Sequence, residues 1–277
     1  MQAKRSIIVT GGASGIGLGI TKHFIQEPDT HITILDINPN TGAQTVDNLR
    51  SEFPSAGISF EQCDVSSWES QAAAFENVYK NQDRIDIVFA NAGITEKGSI
   101  LIHEEGSQDQ GPTKPNLATL NVNLIGTLYS VRLATYYMLK KSTHEEHGSK
   151  GLIVCTASNA GLYPFPIAPG YATSKAGVVG LVRSAARRLA AHKIRINALA
   201  PAVIETNIAS NADLFKSMII TPMSTVERAV AQFADDESLT GRITELHGEH
   251  VTFAEPPRYV DGDTEKNIEN FWNLGYA

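Results

Sequence analysis

Short apolar runs rich in β-branched residues alternate with stretches of helical periodicity from the start of the chain, and this alternation constrains the fold more than any other feature. Residues 6–10 (SIIVT), 31–36 (HITILD), 58–63 and 85–90 (IDIVFA) read as strands. Between them, 15–27, about 40–52 and about 67–80 carry apolar residues at helical spacing. Strand, helix and strand in succession form a βαβ unit, and such units build a parallel sheet. The pattern continues with a polar, Gly/Pro-punctuated loop at 103–115, one long helix at 116–141, a strand at 151–157, a helix at 171–191 and a strand at 194–199. Residues 201–222 read as loop and short helix, 225–236 as helix and 242–247 as the last strand. The expected architecture is α/β, a doubly wound parallel β-sheet flanked by helices on both faces.

A chain of 277 residues can bury the core of one such domain, and no linker divides it. The core is expected over about 5–247, with an extension at 248–277 that holds Pro256-Pro257 and an aromatic end of Phe271, Trp272 and Tyr276. A net charge of −7, without any Lys/Arg-rich block, argues against nucleic acid or an anionic membrane as partner. No run of eighteen apolar residues suggests a transmembrane helix, and the N-terminus enters a strand without the apolar region of a signal peptide. Cys63 and Cys155 each lie in an apolar run, as expected of buried thiols in a reducing compartment. The expected location is cytoplasmic.

The first strand feeds Thr10-Gly-Gly-Ala-Ser-Gly-Ile-Gly17 and then a helix. Glycines at 11, 15 and 17 permit a tight turn, close approach of backbone N–H groups to a phosphate, and close helix–strand packing, with the helix dipole aimed at the anion. The second strand ends in Asp36, where a carboxylate can accept hydrogen bonds from the hydroxyls of an adenosine ribose and would repel a 2′-phosphate. Neither Ser14 nor Ile37 offers a positive charge to capture that phosphate, so the expected cofactor is NAD in preference to NADP. Further on, Tyr171-Ala-Thr-Ser-Lys175 places a phenol and an ammonium one helical turn apart, and Ser158 precedes them by thirteen residues. A phenol beside a cation ionises more readily, which suits it to proton transfer.

TGGASGIG, Asn91-Ala92-Gly93 after the fourth strand, Ser158 and Tyr171-x-x-x-Lys175 stand in the order and spacing of the short-chain dehydrogenase/reductase family. The resemblance covers about residues 5–247 and implies a Rossmann-type fold. Gln62-Cys63-Asp64-Val65 and Asp36 look most like its 15-hydroxyprostaglandin dehydrogenase-type subgroup, although Ala168 lacks the polar side chain that subgroup offers the substrate. The resemblance implies cofactor contacts from Gly11, Ser14, Gly15, Ile16, Gly17, Asp36, Ile37, Asp64, Val65, Asn91, Ala92 and Gly93. Asp64 would meet the adenine amino group, and Asn91 and Gly93 the ribose side. Pro201, Ile204 and Thr206 would contact the nicotinamide carboxamide, with Ala202 standing where the family usually has glycine. It further implies a catalytic set of Asn123, Ser158, Tyr171 and Lys175: Asn123 holding a relay water, Ser158 donating to the substrate oxygen, Tyr171 exchanging the proton, and Lys175 binding the nicotinamide ribose while depressing the Tyr171 pKa. Hydride would pass between a substrate carbon and the nicotinamide.

The expected activity interconverts a secondary alcohol and a ketone on a fairly apolar small molecule. A scaffold reused for non-redox work, such as an isomerase, cyclase or ligand sensor, is the alternative from another class. It predicts decay of the catalytic set, yet all four residues are present. The segment from Tyr163 to Ile167 flanks the site and reads as an apolar substrate wall in preference to a Pro-rich turn. His144-Glu-Glu-His147 and His247-Gly-Glu-His250 lack the spacing of a zinc motif, so no metal is expected. By family resemblance the helices at 116–141 and 171–191 pair copies of the chain into a homodimer or homotetramer.

Overall fold

The computed structural model describes residues 5–98, 100–101, 113–140, 148–206 and 216–275. Most of the polar loop expected at 103–115, the His144–His147 segment and Tyr276 lie outside the described residues. The strands are β1 (Arg5–Thr10), β2 (Thr30–Asp36), β3 (Gly57–Gln62), β4 (Ile87–Ala90), β5 (Gly151–Thr156), β6 (Ile194–Pro201), β7 (Ile243–His247) and β8 (His250–Phe253). They form one sheet in the order β3-β2-β1-β4-β5-β6-β7-β8, parallel throughout except for the antiparallel β7–β8 pair. The order reverses at β1, which pairs with β2 on one side and β4 on the other. Ligands of open α/β sheets bind in the crevice at such a reversal, beyond the carboxyl ends of the strands.

Alternate side chains of each buried strand enter opposite cores. Ile7 and Val9 of β1 join Phe24 of α1 (Gly15–Phe24), Leu49 of α2 (Pro39–Glu52) and Phe233 of α7 (Met223–Asp235). Ile8 joins Phe75 of α3 (Trp68–Gln82), Met138 of α5 (Gly126–Lys140) and Val182 of α6 (Pro169–Ala190). Because both faces are covered, the strands read as continuous apolar runs. Asn38 starts α2 by accepting from the N–H groups of Asn40 and Thr41, with Pro39 at the first helical position.

Two expectations need correction. The long helix at 116–141 is instead a short α4 (Ala118–Leu120), a π-turn at Asn121–Ile125 and then α5. In the π-turn the N–H of Gly126 reaches back to the carbonyl of Asn121. Buried Gln71 donates to the carbonyls of both Val65 and Gly126, and a Cβ on Gly126 would lie 2.8 Å from the Val65 carbonyl oxygen. Secondly, the sheet does not end at residue 247: the chain turns at Gly248, with φ of +54°, and adds β8 at the edge. Beyond β8 the extension contains α8 (Gly262–Asn273), started by Asp261 accepting from the Thr264 N–H at 2.8 Å. This helix buries no residue and is tied to α6 through Arg187, which pairs with Glu269 and lies over the Trp272 ring. No described helix is long and apolar enough to cross a membrane.

Candidate active site

β1 leads into a turn whose geometry only glycine permits at two places. Gly11 has φ of +63°, and a Cβ there would lie 2.9 Å from the Ala92 Cα. On Gly17 a Cβ would lie 2.1 Å from the Gly11 carbonyl oxygen and 2.7 Å from Asn91 Nδ2. Backbone from β4 is thus pressed onto the turn, and Thr10 locks it: its hydroxyl accepts from the N–H groups of Asn91 and Ala92 at 2.9 and 3.0 Å. Asn91 in turn donates to the Thr10 carbonyl and accepts from the Thr156 hydroxyl of β5. Asp36 braces the far side of the turn, accepting from the Ala13 N–H at 3.3 Å and the Asn38 N–H at 3.2 Å. Its neighbour Ile37 is exposed. Asp64 accepts from both the N–H and the hydroxyl of Ser66, so its carboxylate is fixed by its own loop.

A cleft of about 460 Å³ runs across these strand ends. One end is lined by Gly11, Ser14, Gly15, Ile16, Asp36, Ile37, Asp64 and Val65, the other by Ser158, Tyr171, Lys175, Pro201, Ile204 and Thr206, with Asn91, Ala92 and Gly93 between. Of the expected site residues, Gly17 and Asn123 stand behind this lining. Thr206 closes over the glycine turn, where a Cβ on Gly15 would sit 3.2 Å from the Thr206 Cβ. Ala202 does not belong to the residues with positive φ, so alanine replaces glycine there without strain, and its N–H donates to the Leu246 carbonyl.

At the catalytic end, Tyr171 and Lys175 leave one face of α6. Lys175 is buried, and its Nζ donates to the Thr156 carbonyl at 2.7 Å and lies 5.6 Å from the centre of the Tyr171 ring. Tyr171 shares this end of the cleft with Ser158. Ser158 accepts from the Ala160 N–H, which holds its side chain at the start of a 3₁₀ turn, Asn159–Gly161. Gly161 is required, since a Cβ there would lie 2.6 Å from the Lys175 carbonyl carbon. The pKa of Tyr171 is raised, by burial first, with the nearby Ser158 side chain opposing. That overturns the expectation of a phenol pKa depressed by Lys175. The cause is burial of the phenol itself, and burial likewise brings the pKa of Lys175 down to about 8.

Asn123 occupies the π-turn and braces the site from behind. Its Oδ1 accepts from the Ile94 N–H at 2.8 Å, and its Nδ2 donates to the Ile94 carbonyl at 2.9 Å and to the Ser174 hydroxyl at 3.2 Å. Both amide protons are engaged by protein. The expected wall at 163–167 contributes nothing to the cleft lining. Tyr163 turns away to donate to Glu245 of β7, whereas the Phe165 ring lies 6.3 Å from that of Tyr171. Ala168 is buried at the start of α6. Sequence reasoning missed Thr10, Ser174 and Glu96. Thr10 stood inside the glycine motif as its first residue, while the other two act through contacts between distant segments. Among the described residues no group of His, Cys, Asp or Glu could hold a metal ion, and His247 and His250 stack on each other across the β7–β8 turn.

The short chain dehydrogenase family model matches residues 5–216. A 5′-hydroxyaverantin dehydrogenase of Dothistroma septosporum is 34% identical, over 97% of this chain and 89% of its own. An NADP-dependent dehydrogenase of Cochliobolus lunatus, clz5, is 36% identical over 73% of this chain and 71% of its own. The crystal structure of gox2181 superposes with a TM-score of 0.72 at 27% identity, covering 88% of this chain and 94% of that one. The glycine cradle and the pocket beside Asp36 fit the nicotinamide cofactor such proteins use. The chain belongs to the short-chain dehydrogenase/reductase family of oxidoreductases.

Proposed function

We propose that this protein is an NAD-preferring alcohol dehydrogenase or ketone reductase that interconverts a secondary alcohol and a ketone on a fairly apolar small molecule. The observation that carries the reading is that Tyr171 and Ser158 line one end of the cleft together with buried Lys175, one helical turn from the tyrosine, while Asp36 lines the other. The nicotinamide supplies the hydride acceptor in oxidation and the donor in reduction. Ser158 and Tyr171 both present hydroxyls to one point, where they orient the substrate oxygen. In the oxidative direction Tyr171 takes the alcohol proton; in the reductive direction it returns one to the new alkoxide oxygen. Lys175 would hold the nicotinamide ribose, and its ammonium, 5.6 Å from the centre of the Tyr171 ring, would favour the phenolate against the opposing effect of burial. Asn123 keeps the loop at Ile94 and the helix at Ser174 in register around that pair.

Preference for NAD rests on Asp36, whose carboxylate meets any 2′-phosphate with like charge while exposed Ile37 offers no compensation. The relative clz5 is named as NADP-dependent, so the preference for NAD rests on Asp36 and Ile37 of this chain and not on its relatives. The name 5′-hydroxyaverantin dehydrogenase supports oxidation of a hydroxyl group. Exposed Leu128, Tyr136 and Leu139 on α5 support pairing of two or more copies through that helix, and the two buried free thiols support a cytosolic location. The test adds NAD⁺ and a panel of secondary alcohols, or NADH and the matching ketones, to pure protein and follows the absorbance of reduced nicotinamide. Turnover is expected with the wild type, and turnover that persists in Tyr171→Phe overturns the mechanism.

A further inference from the structure

The helix that carries Tyr171 and Lys175 opens without a cap of its own. Its N-cap residue is Ala168, which has no side-chain acceptor, and its first turn contains no acidic residue. The first N–H groups of any α-helix have no partner within the helix and need one from outside. Here a distant loop supplies it. Glu96 accepts from the Gly170 N–H through Oε1 at 3.1 Å and from the Tyr171 N–H through Oε2 at 2.5 Å. Both carboxylate oxygens are therefore engaged by the backbone of the catalytic helix, one of them at the catalytic residue itself. A Cβ on Gly170 would stand 3.0 Å from each of these oxygens, so the glycine lets the carboxylate reach the backbone.

The loop that delivers Glu96 is held on either side. Before it, Ile94 is fixed through both backbone groups by Asn123. After it, the Lys97 N–H donates to the Thr119 hydroxyl, which itself donates to the Thr95 carbonyl. Gly93, three residues earlier, lies against Asn123 and the Lys175 ammonium. One short segment thus touches the cleft at Gly93 and the start of α6 at Tyr171.

We infer that Glu96 is a positioning residue, which provides from the β4 loop the helix cap that Ala168 lacks and so fixes Tyr171 relative to the cofactor side of the cleft. The inference deepens the reading of Tyr171 as proton carrier and rests on it. A carboxylate at a helix N-terminus also meets the positive end of the helix dipole, which adds to the two hydrogen bonds. A small displacement of a reacting group can cost up to about a hundredfold in rate. Glu96→Ala therefore lowers kcat by about ten- to a hundredfold while the KM for the alcohol stays nearly constant.

The decisive arm is rescue. Serine at an N-cap accepts from the second or third helical N–H, which in α6 are those of Gly170 and Tyr171, the same two groups that Glu96 serves. Adding Ala168→Ser to Glu96→Ala is expected to recover most of the lost kcat. An unchanged kcat in Glu96→Ala, or a loss that falls on the alcohol KM and is not rescued by Ala168→Ser, overturns the inference. The gentler Glu96→Gln keeps one acceptor, and amide hydrogen exchange at Gly170 and Tyr171 is expected to quicken in it; unchanged exchange also overturns the inference. This exchange is read without turnover, so it separates failure of the cap from failure of the proposed reaction, which Tyr171→Phe reports.

Discussion

Lys175 donates its ammonium to the carbonyl of Thr156 at 2.7 Å, within a wholly buried setting. The bond anchors the active-site helix to the end of β5 and fixes the ammonium one turn from Tyr171. It also leaves a cation out of water, and burial lowers its pKa to about 8. Positioning this charge for chemistry therefore works against the stability of the fold.

That opposition has a defined pH dependence. Below pH 8 Lys175 is protonated in both the folded and the unfolded chain, so the full penalty of burying the charge applies. Between about pH 8 and the ordinary lysine range near 10.5, the unfolded chain holds the proton and the folded chain does not, so stability rises with pH. Lys175→Met lacks this titration. The melting temperature of the wild type, relative to that of Lys175→Met, is expected to climb from pH 7.5 to pH 10. A constant difference across that interval refutes burial of a charged Lys175. Lys175→Met is also expected to lose activity at every pH.

Asp36 has two tasks, and one substitution separates them. Its carboxylate accepts the Ala13 and Asn38 N–H groups and lines the cleft, and on the function proposed above its charge would repel a 2′-phosphate. Asp36→Asn keeps an acceptor for the turn while removing the charge. Its ratio of kcat/KM for NADP over NAD is expected to rise at least about tenfold, because like-charge contact of this kind costs more than about 1.4 kcal/mol. Equal use of both cofactors by the unmutated protein would refute the role given to Asp36.

The glycine turn makes a steric prediction. A methyl group at residue 17 falls 2.1 Å from the Gly11 carbonyl oxygen, which belongs to backbone and cannot swing aside. Gly17→Ala is expected to destabilise the fold by about 1–3 kcal/mol, the usual result of overpacking. It should also weaken NADH binding, followed by enhancement of the cofactor's fluorescence. Gly180, where a Cβ meets nothing within 4 Å, serves as control: Gly180→Ala is expected to hold or raise the urea midpoint.

These residues were legible because each has a local signature. Glycines follow a strand, Asp36 ends the next strand, and Tyr171 and Lys175 share a helix face. The π-turn at Asn121–Ile125 left none, since apolar spacing runs through it unbroken. What breaks the helix is the demand of Ile94 for the Asn123 amide, a contact made across the fold. Glu96 was invisible for the same reason: its meaning depends on Gly170 and Tyr171, more than seventy residues away. The sign of the Tyr171 pKa shift was misjudged because sequence spacing reveals the neighbouring cation but not the burial that outweighs it. By contrast, α8 had a readable start in Asp261 and Thr264 and a short apolar stripe of Ile268, Phe271 and Trp272, but the fold leaves that stripe unburied.

The exposure of that stripe predicts how the extension behaves. None of the residues of α8 is buried, none lines the cleft, and its ties to α6 run through Arg187, which meets Glu269 and Trp272 at the surface. The carbonyls of Ala254 and Glu255, which accept from Arg183, lie before it and hold the chain just after β8. A chain ended after Pro257 keeps those bonds and the whole sheet. Exposed ion pairs of this kind contribute about 0–1 kcal/mol, so the melting temperature is expected to fall by no more than about 4 °C. Since no group of α8 touches the cleft, kcat/KM for a given alcohol should stay within about twofold of the full chain. A tenfold loss with the melting temperature preserved shows instead that the helix acts on the active site, and α8 then belongs to the catalytic unit.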